Sequence, residues 1–179
     1  MKNSMKTLLF LSLLVSGLFA DTKRHHVGFA ESITEISTDT IKNKKLFEFS
    51  TRYEYMINNY LNFEARCNIQ IGQKQRLDHT YSYGVFLKPN YPITTNFKLY
   101  GLLGYSKNKI VKNQKGFKNN ETIQYGFSYG AGLEYQIEER TSIYVDYVRY
   151  INKSIIKPEG KYAIKIDTIG GGLKYNFNF

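Results

Sequence analysis

The stretch Thr122-Ile-Gln-Tyr-Gly-Phe-Ser-Tyr-Gly-Ala-Gly-Leu-Glu-Tyr-Gln-Ile137 decides the fold. Ile123, Tyr125, Phe127, Tyr129, Ala131, Leu133, Tyr135 and Ile137 occupy alternate positions. Gln124, Gly126, Ser128, Gly130, Gly132, Glu134 and Gln136 fill the others. A period of two is the signature of a strand with two unlike faces, because successive side chains point to opposite sides. The alternation is unbroken over sixteen positions. A strand in a soluble sheet is usually about 5–6 residues long.

The pattern recurs on both sides of this segment. Phe47, Phe49, Tyr53 and Tyr55 oppose Glu48, Ser50, Arg52 and Glu54. Leu61 to Ile71 and Tyr81 to Tyr91 alternate in the same way, and Ile169, Leu173, Tyr175, Phe177 and Phe179 share one face at the chain's end. Phe97, Leu99, Leu103 and Tyr105 form another face, as do Ile143, Val145, Tyr147 and Ile151. The first strand, about His26 to Ile36, is the least regular. Glu31 and Glu35 share parity with Val27, Phe29 and Ile33, which predicts a bulge or a shorter strand there. Short connections (57–60, 92–96, 138–141) alternate with longer ones (37–45, 72–79, 107–121, 152–163). Short periplasmic turns and longer extracellular loops are the expected asymmetry of an outer-membrane barrel.

Two features place the apolar face outside. Gly84, Gly104, Gly126, Gly130, Gly132, Gly170 and Gly172 lie on the polar face, where a narrow lumen needs small residues. On a solvated face they would only weaken the strands. Aromatic residues also gather at strand ends. Tyr55, Tyr91, Phe97, Tyr135, Phe177 and Phe179 form one group, and Tyr81, Tyr83, Tyr105 and Tyr125 the other, as at two membrane interfaces. The fold class expected is all-β, an eight-stranded antiparallel up-and-down transmembrane β-barrel. A soluble eight-stranded barrel, with its apolar face inward, is the structural competitor.

At the other end, Lys2 and Lys6 precede an apolar run from Leu8 to Phe19, followed by Ala20 and the polar Asp21-Thr22-Lys23. This reads as a signal peptide over 1–20, with the barrel domain over 21–179. A cut after Gly17 is the alternative, because Leu18 at the −3 position is larger than ideal. The apolar run is too short for a spanning helix, which needs about 20 residues. Cys67 is the only cysteine, so an internal disulfide is excluded.

The polar face carries both signs of charge. Glu48, Glu54, Glu64, Glu134 and Asp146 are expected to pair with Arg52, Arg66, Lys88, Lys98 and Lys174 inside the lumen, since buried charges without partners are costly. An eight-stranded barrel is only wide enough for side chains to fill it, which favours a plug over an ion path. Outside, the formal net charge of +10 is concentrated in the long connections. The connection from Lys107 to Asn120 holds Lys107, Lys109, Lys112, Lys115 and Lys118 and no acid. Lipopolysaccharide phosphates are the nearest anionic partner at that height. Nucleic acid is seldom met there and is not expected.

The pieces Tyr125–Tyr135, Ser142–Tyr150 and Gly172–Phe179 resemble the small bacterial outer-membrane barrels, such as the transmembrane domain of outer-membrane protein A and the opacity proteins. The resemblance covers nearly all of the chain after residue 20. It implies that Leu173, Tyr175, Phe177 and Phe179 form an assembly signal read by the barrel-insertion machinery. The chain stops at Phe179, so no peptidoglycan-binding domain is expected. Some small barrels of this kind modify lipid A. Here the histidines are His25, His26 and His79, and only Asp78-His79 beside Thr80 or Ser82 offers a base with a carboxylate and a hydroxyl. The expectation is a non-enzymatic barrel serving envelope integrity or surface interaction, without cofactor. The alternatives are a low-conductance porin and, last, a lipid-A-modifying enzyme. Oligomeric state is not legible.

Overall fold

Alternating side chains and hydrogen-bonded neighbours on both edges produce the architecture seen in the computed structural model of the chain, which describes residues 25–38, 44–71, 77–112, 120–157 and 160–177. The strands are β1 (His25–Thr38), β2 (Lys44–Asn58), β3 (Leu61–Ile71), β4 (Leu77–Pro92), β5 (Phe97–Lys112), β6 (Asn120–Gln136), β7 (Thr141–Lys157) and β8 (Gly160–Asn176). Each pairs antiparallel with its sequence neighbours, and β1 pairs with β8 to close the barrel. Closure leaves no sheet edge, which the hydrocarbon of a bilayer requires.

The registers fix the barrel's stagger. From Glu31 the paired positions run through Phe49, Ile69, Tyr81 and Lys109 to Ile123 on β6. In the other direction they run through Gly171 and Val145 to Leu133, ten positions along the same strand. That shear tilts the strands and sets a lumen that side chains can fill. The connections after β2, β4 and β6 (59–60, 93–96 and 137–140) are short, at the end where β1 begins and β8 finishes. At the other end those after β1, β3 and β5 (39–43, 72–76 and 113–119) are longer, but the one expected over 152–163 shrinks to 158–159. By the rule of short periplasmic turns, the end where β1 begins faces the periplasm.

Burial follows the alternation. Phe29, Phe127, Leu103, Ile169 and Leu173 are each more than half exposed on the outer wall. Water would penalise so continuous an apolar surface, whereas lipid accepts it. Among the described residues no helix is long and apolar enough to cross a membrane, so crossing falls to strands. The aromatics Tyr91 and Tyr135 stand exposed towards the periplasmic end, and Tyr83, Tyr105 and Tyr125 towards the opposite end.

Inside, glycines make room for aromatic rings. A Cβ on Gly132 would lie 2.5 Å from the Tyr100 ring, and one on Gly104 would lie 2.0 Å from the Val85 carbonyl oxygen and 2.6 Å from the Phe86 ring. The interior has two layers. Towards the periplasm it is charged. Beyond the charges lies an apolar cluster that includes Ile36, Leu46, Phe86, Leu102, Val148, Tyr150, Ile151 and Ile166.

Several expectations need correction. β1 is regular, with continuous register against both neighbours, so no bulge turns Glu31 inward. Glu31 stays exposed on the outer wall. The register shifts fall instead at Met56/Asn58, His79/Tyr81 and Arg149/Ile151. The last turns Ile151 into the lumen, fully buried, rather than outward beside Tyr147. The interior is therefore not uniformly polar. The strands also run further than the polar sequence suggests. Pairing of β5 with β6 continues through Ile110↔Thr122 to Lys112↔Asn120, and that of β7 with β8 to Lys157↔Gly160. Backbone hydrogen bonds sustain a hairpin where side-chain alternation has faded. The proposed signal peptide, residues 1–20, lies outside the described residues.

Candidate functional site

The charged layer of the lumen is assembled from six strands. Alternation brings Arg52 and Glu54 from β2, and Glu64 and Arg66 from β3, to the inner face. The β2–β3 register sets Arg52 opposite Arg66 and Glu54 opposite Glu64. Like charges directly opposite are destabilising in a sheet. The compensating charges come from across the lumen, which a barrel makes possible and an open sheet does not.

Asp146 from β7 meets both arginines. Its Oδ2 lies 2.6 Å from Arg52 Nη1 and 2.9 Å from Arg66 Nη2. Tyr100 donates to the same oxygen at 3.0 Å. Arg66 also donates from Nε to Glu64 Oε1 at 2.7 Å. The Arg52 guanidinium stacks over the Tyr144 ring, 4.0 Å from its centroid. Nearer the periplasm, Lys88 Nζ lies 2.6 Å from Glu54 Oε1, with Glu134 at 3.6 Å and Glu64 at 3.7 Å. Lys174 Nζ bonds Glu134 and lies 3.5 Å from Glu54. Lys88 also sits 3.9 Å above the Tyr100 ring centroid.

These contacts join four cations (Arg52, Arg66, Lys88, Lys174) to four anions (Glu54, Glu64, Glu134, Asp146) in one neutral cluster whose side chains are nearly all sealed from solvent. Removing charge from water is expensive, so close and shared geometry is what allows the cluster to exist. Two of the expected participants stand apart. Glu48 is buried further from the periplasm and accepts a 2.7 Å hydrogen bond from Thr34. Lys98 is half-buried at the periplasmic mouth and joins no ion pair among the described residues.

Sequence reasoning missed Tyr100, Tyr144 and Tyr150, all inward and buried. Their parity carried the signal: each sits two or four places from an inward-facing charge or glycine on its own strand. It also missed an ion pair on the outer wall, where Arg149 Nε lies 2.6 Å from Asp167 Oδ1. Arg149 further donates to the hydroxyls of Tyr147 and Tyr129.

Of the five lysines assigned to a loop, Lys107 and Lys109 are on the outer face of β5, half-buried against Tyr125 and Tyr81. Lys112 closes β5, while Lys115 and Lys118 lie outside the described residues. At the other end of the barrel, Leu173, Tyr175 and Phe177 all face outward, and the Tyr175 and Phe177 rings meet edge-on at 5.3 Å. Phe179 lies outside the described residues. So do the side chains of Asp78 and His79, although the backbone of both belongs to β4. His25 faces outward, its Nδ1 2.6 Å from the Tyr53 hydroxyl, and its neighbour His26 faces the lumen.

The same architecture occurs in known proteins. Outer membrane protein X of Escherichia coli K12 is 32% identical over 65 residues, a stretch covering 36% of this chain and 38% of that relative. Neisserial surface protein A superposes with a TM-score of 0.69 at 17% identity, covering 86% of this chain and 97% of the other. Ail, the attachment invasion locus protein of Yersinia pestis, superposes at 0.60 with 19% identity, covering 87% and 100%. The family model for the outer membrane protein beta-barrel domain matches residues 7–177, which is nearly the whole chain. With the closed eight-stranded wall and its apolar exterior, this match establishes an integral protein of the Gram-negative outer membrane that belongs to the outer-membrane β-barrel domain family.

Proposed function

We propose that this protein is a non-enzymatic barrel that contributes to envelope integrity or surface interaction through its outer wall and extracellular end, not by conducting solutes. The observation that carries this reading is the filled lumen. The ion-paired cluster around Asp146 and Lys88 spans the lumen between facing strands, and a buried apolar cluster packs beyond it. Carboxylates that could serve a hydrolytic reaction, such as Glu54, Glu64 and Asp146, are held by lysine and arginine partners instead. The partners we assign are outer-membrane lipid, with lipopolysaccharide phosphates near Lys107 and Lys109, and the insertion machinery during assembly at Leu173, Tyr175, Phe177 and Phe179.

The test is an envelope assay in a strain lacking the protein. Entry of a bulky hydrophobic dye should rise and detergent resistance should fall, and both should be restored by the wild-type gene. An unchanged barrier together with reduced uptake of small hydrophilic solutes would favour the low-conductance porin instead. An altered lipid A profile in the deletion strain would favour the enzyme.

A further inference from the structure

The outer wall is not evenly filled. Two successive register rows climb around the barrel. One contains Tyr53, Ala65, Val85 and Tyr105, and the next contains Thr51, Cys67, Tyr83, Lys107 and Tyr125. Three small residues, Thr51, Ala65 and Cys67, fall side by side on β2 and β3 and leave a dent between larger neighbours. The dent continues upward as a groove of about 660 Å³ that ends between Tyr83, Tyr105 and Tyr125, with Lys107 at its head. Lys109 stands one pair further along β5, over the Tyr81 ring.

We propose that this groove seats one molecule of lipid A from the outer leaflet, with an acyl chain on Thr51, Ala65 and Cys67 and a phosphate against Lys107 and Lys109. Three observations converge on that occupant. The floor is apolar and faces the hydrocarbon, where an elongated chain is the ligand that buries it. The lysines stand at the groove's extracellular end, beside the tyrosines that mark the interface. There they meet the phosphate layer of the outer leaflet, and cation–π contact with Tyr125 holds Lys107 Nζ 5.6 Å from the ring centroid. An anionic headgroup joined to a saturated chain matches a cationic head joined to an apolar floor. The proposal rests on the reading that the protein works through envelope lipid, and it adds the site and the lipid class.

The experiment uses the full chain, purified from cells and washed extensively in detergent, with bound lipid counted by native mass spectrometry. Wild type should retain one lipid A. The double variant Ala65→Phe/Cys67→Phe fills the groove with lipid-compatible rings, and Lys107→Gln/Lys109→Gln removes the cations. The lysine variant should lower retention by about tenfold, the scale of one to two interfacial lysine contacts, and the filled-groove variant should lower it as well. Heat-dependent gel mobility checks that every variant is folded. Retention by the filled-groove variant equal to wild type would overturn the proposal, since charge alone would then hold the lipid. Equal retention of added phosphatidylglycerol would overturn the assignment to lipid A. The envelope reading fails separately. A deletion strain with a normal barrier would refute that reading even if the purified barrel holds lipid A, and a weakened barrier with no retained lipid A would refute the site alone.

Discussion

Asp146 is the residue on which the lumen converges, because one carboxylate serves Arg52, Arg66 and Tyr100. Asp146→Ala should leave two buried guanidinium groups short of a counter-charge, and breaking such a pair costs about 3–5 kcal/mol. Urea-induced unfolding in lipid vesicles should show that loss. A change below about 1 kcal/mol would mean that Glu64 alone satisfies the arginines. Glu31 behaves in the opposite sense. It faces lipid midway along β1, opposite the outward Gly171, where a carboxylate is unfavourable. Glu31→Leu should therefore stabilise the barrel by on the order of 1 kcal/mol in the same assay. Destabilisation would show that Glu31 has a partner in the membrane. The two acids differ in parity, and parity was readable from the sequence. What could not be read was which cation would meet Asp146. Arg52 and Arg66 are 94 and 80 positions away, and only barrel closure brings them together.

At the scale of the strand, the unbroken alternation from Thr122 to Ile137 dictates the element type and which residues share a side, while the glycines on the polar side and the aromatic residues at strand ends decide that the apolar side faces out. The errors arose where alternation stopped carrying information. The Arg149/Ile151 shift reverses the parity of β7 in mid-strand, and no turn residue marks it, so alternation predicts the outer face for Ile151 where the strand turns it inward. The composition of the lysine-rich run from Lys107 to Lys112 predicts a loop, yet the run completes β5 through backbone pairing with Asn120 to Tyr125 of β6. Slow amide exchange should therefore extend along β5 through Lys107, Asn108 and Lys109 in detergent-solubilised protein, as followed by magnetic resonance. Exchange in that segment as fast as in a free peptide would restore the loop reading. Two acidic residues on the outer face of β1 predict a bulge or a shorter strand, but pairing on both edges dictates its conformation more strongly than the polarity of that face.

For the molecule as a whole, closure, strand number and the outward apolar face were legible because they follow from repetition. The division of the lumen into a charged end and a mixed end, where the apolar cluster packs among hydrogen-bonded Thr34, Glu48, Asn68, Ser106 and Ser128, was not, because it depends on residues from different strands meeting at one height. Phe86 and Tyr100 project into space left by Gly84, Gly104 and Gly132, and Tyr150 packs edge-on against Phe86. Below them Lys88, Glu54, Glu134 and Lys174 are ion-paired across the lumen and narrow it. The proposal that the protein acts by its surfaces requires that this packing close the lumen to ions. The most direct test is single-channel recording of the purified wild-type barrel in planar bilayers at high salt. Traces should stay at baseline, with at most brief, small openings, whereas a stable open level of porin-like size, seen reproducibly in most insertions, would contradict the filled lumen.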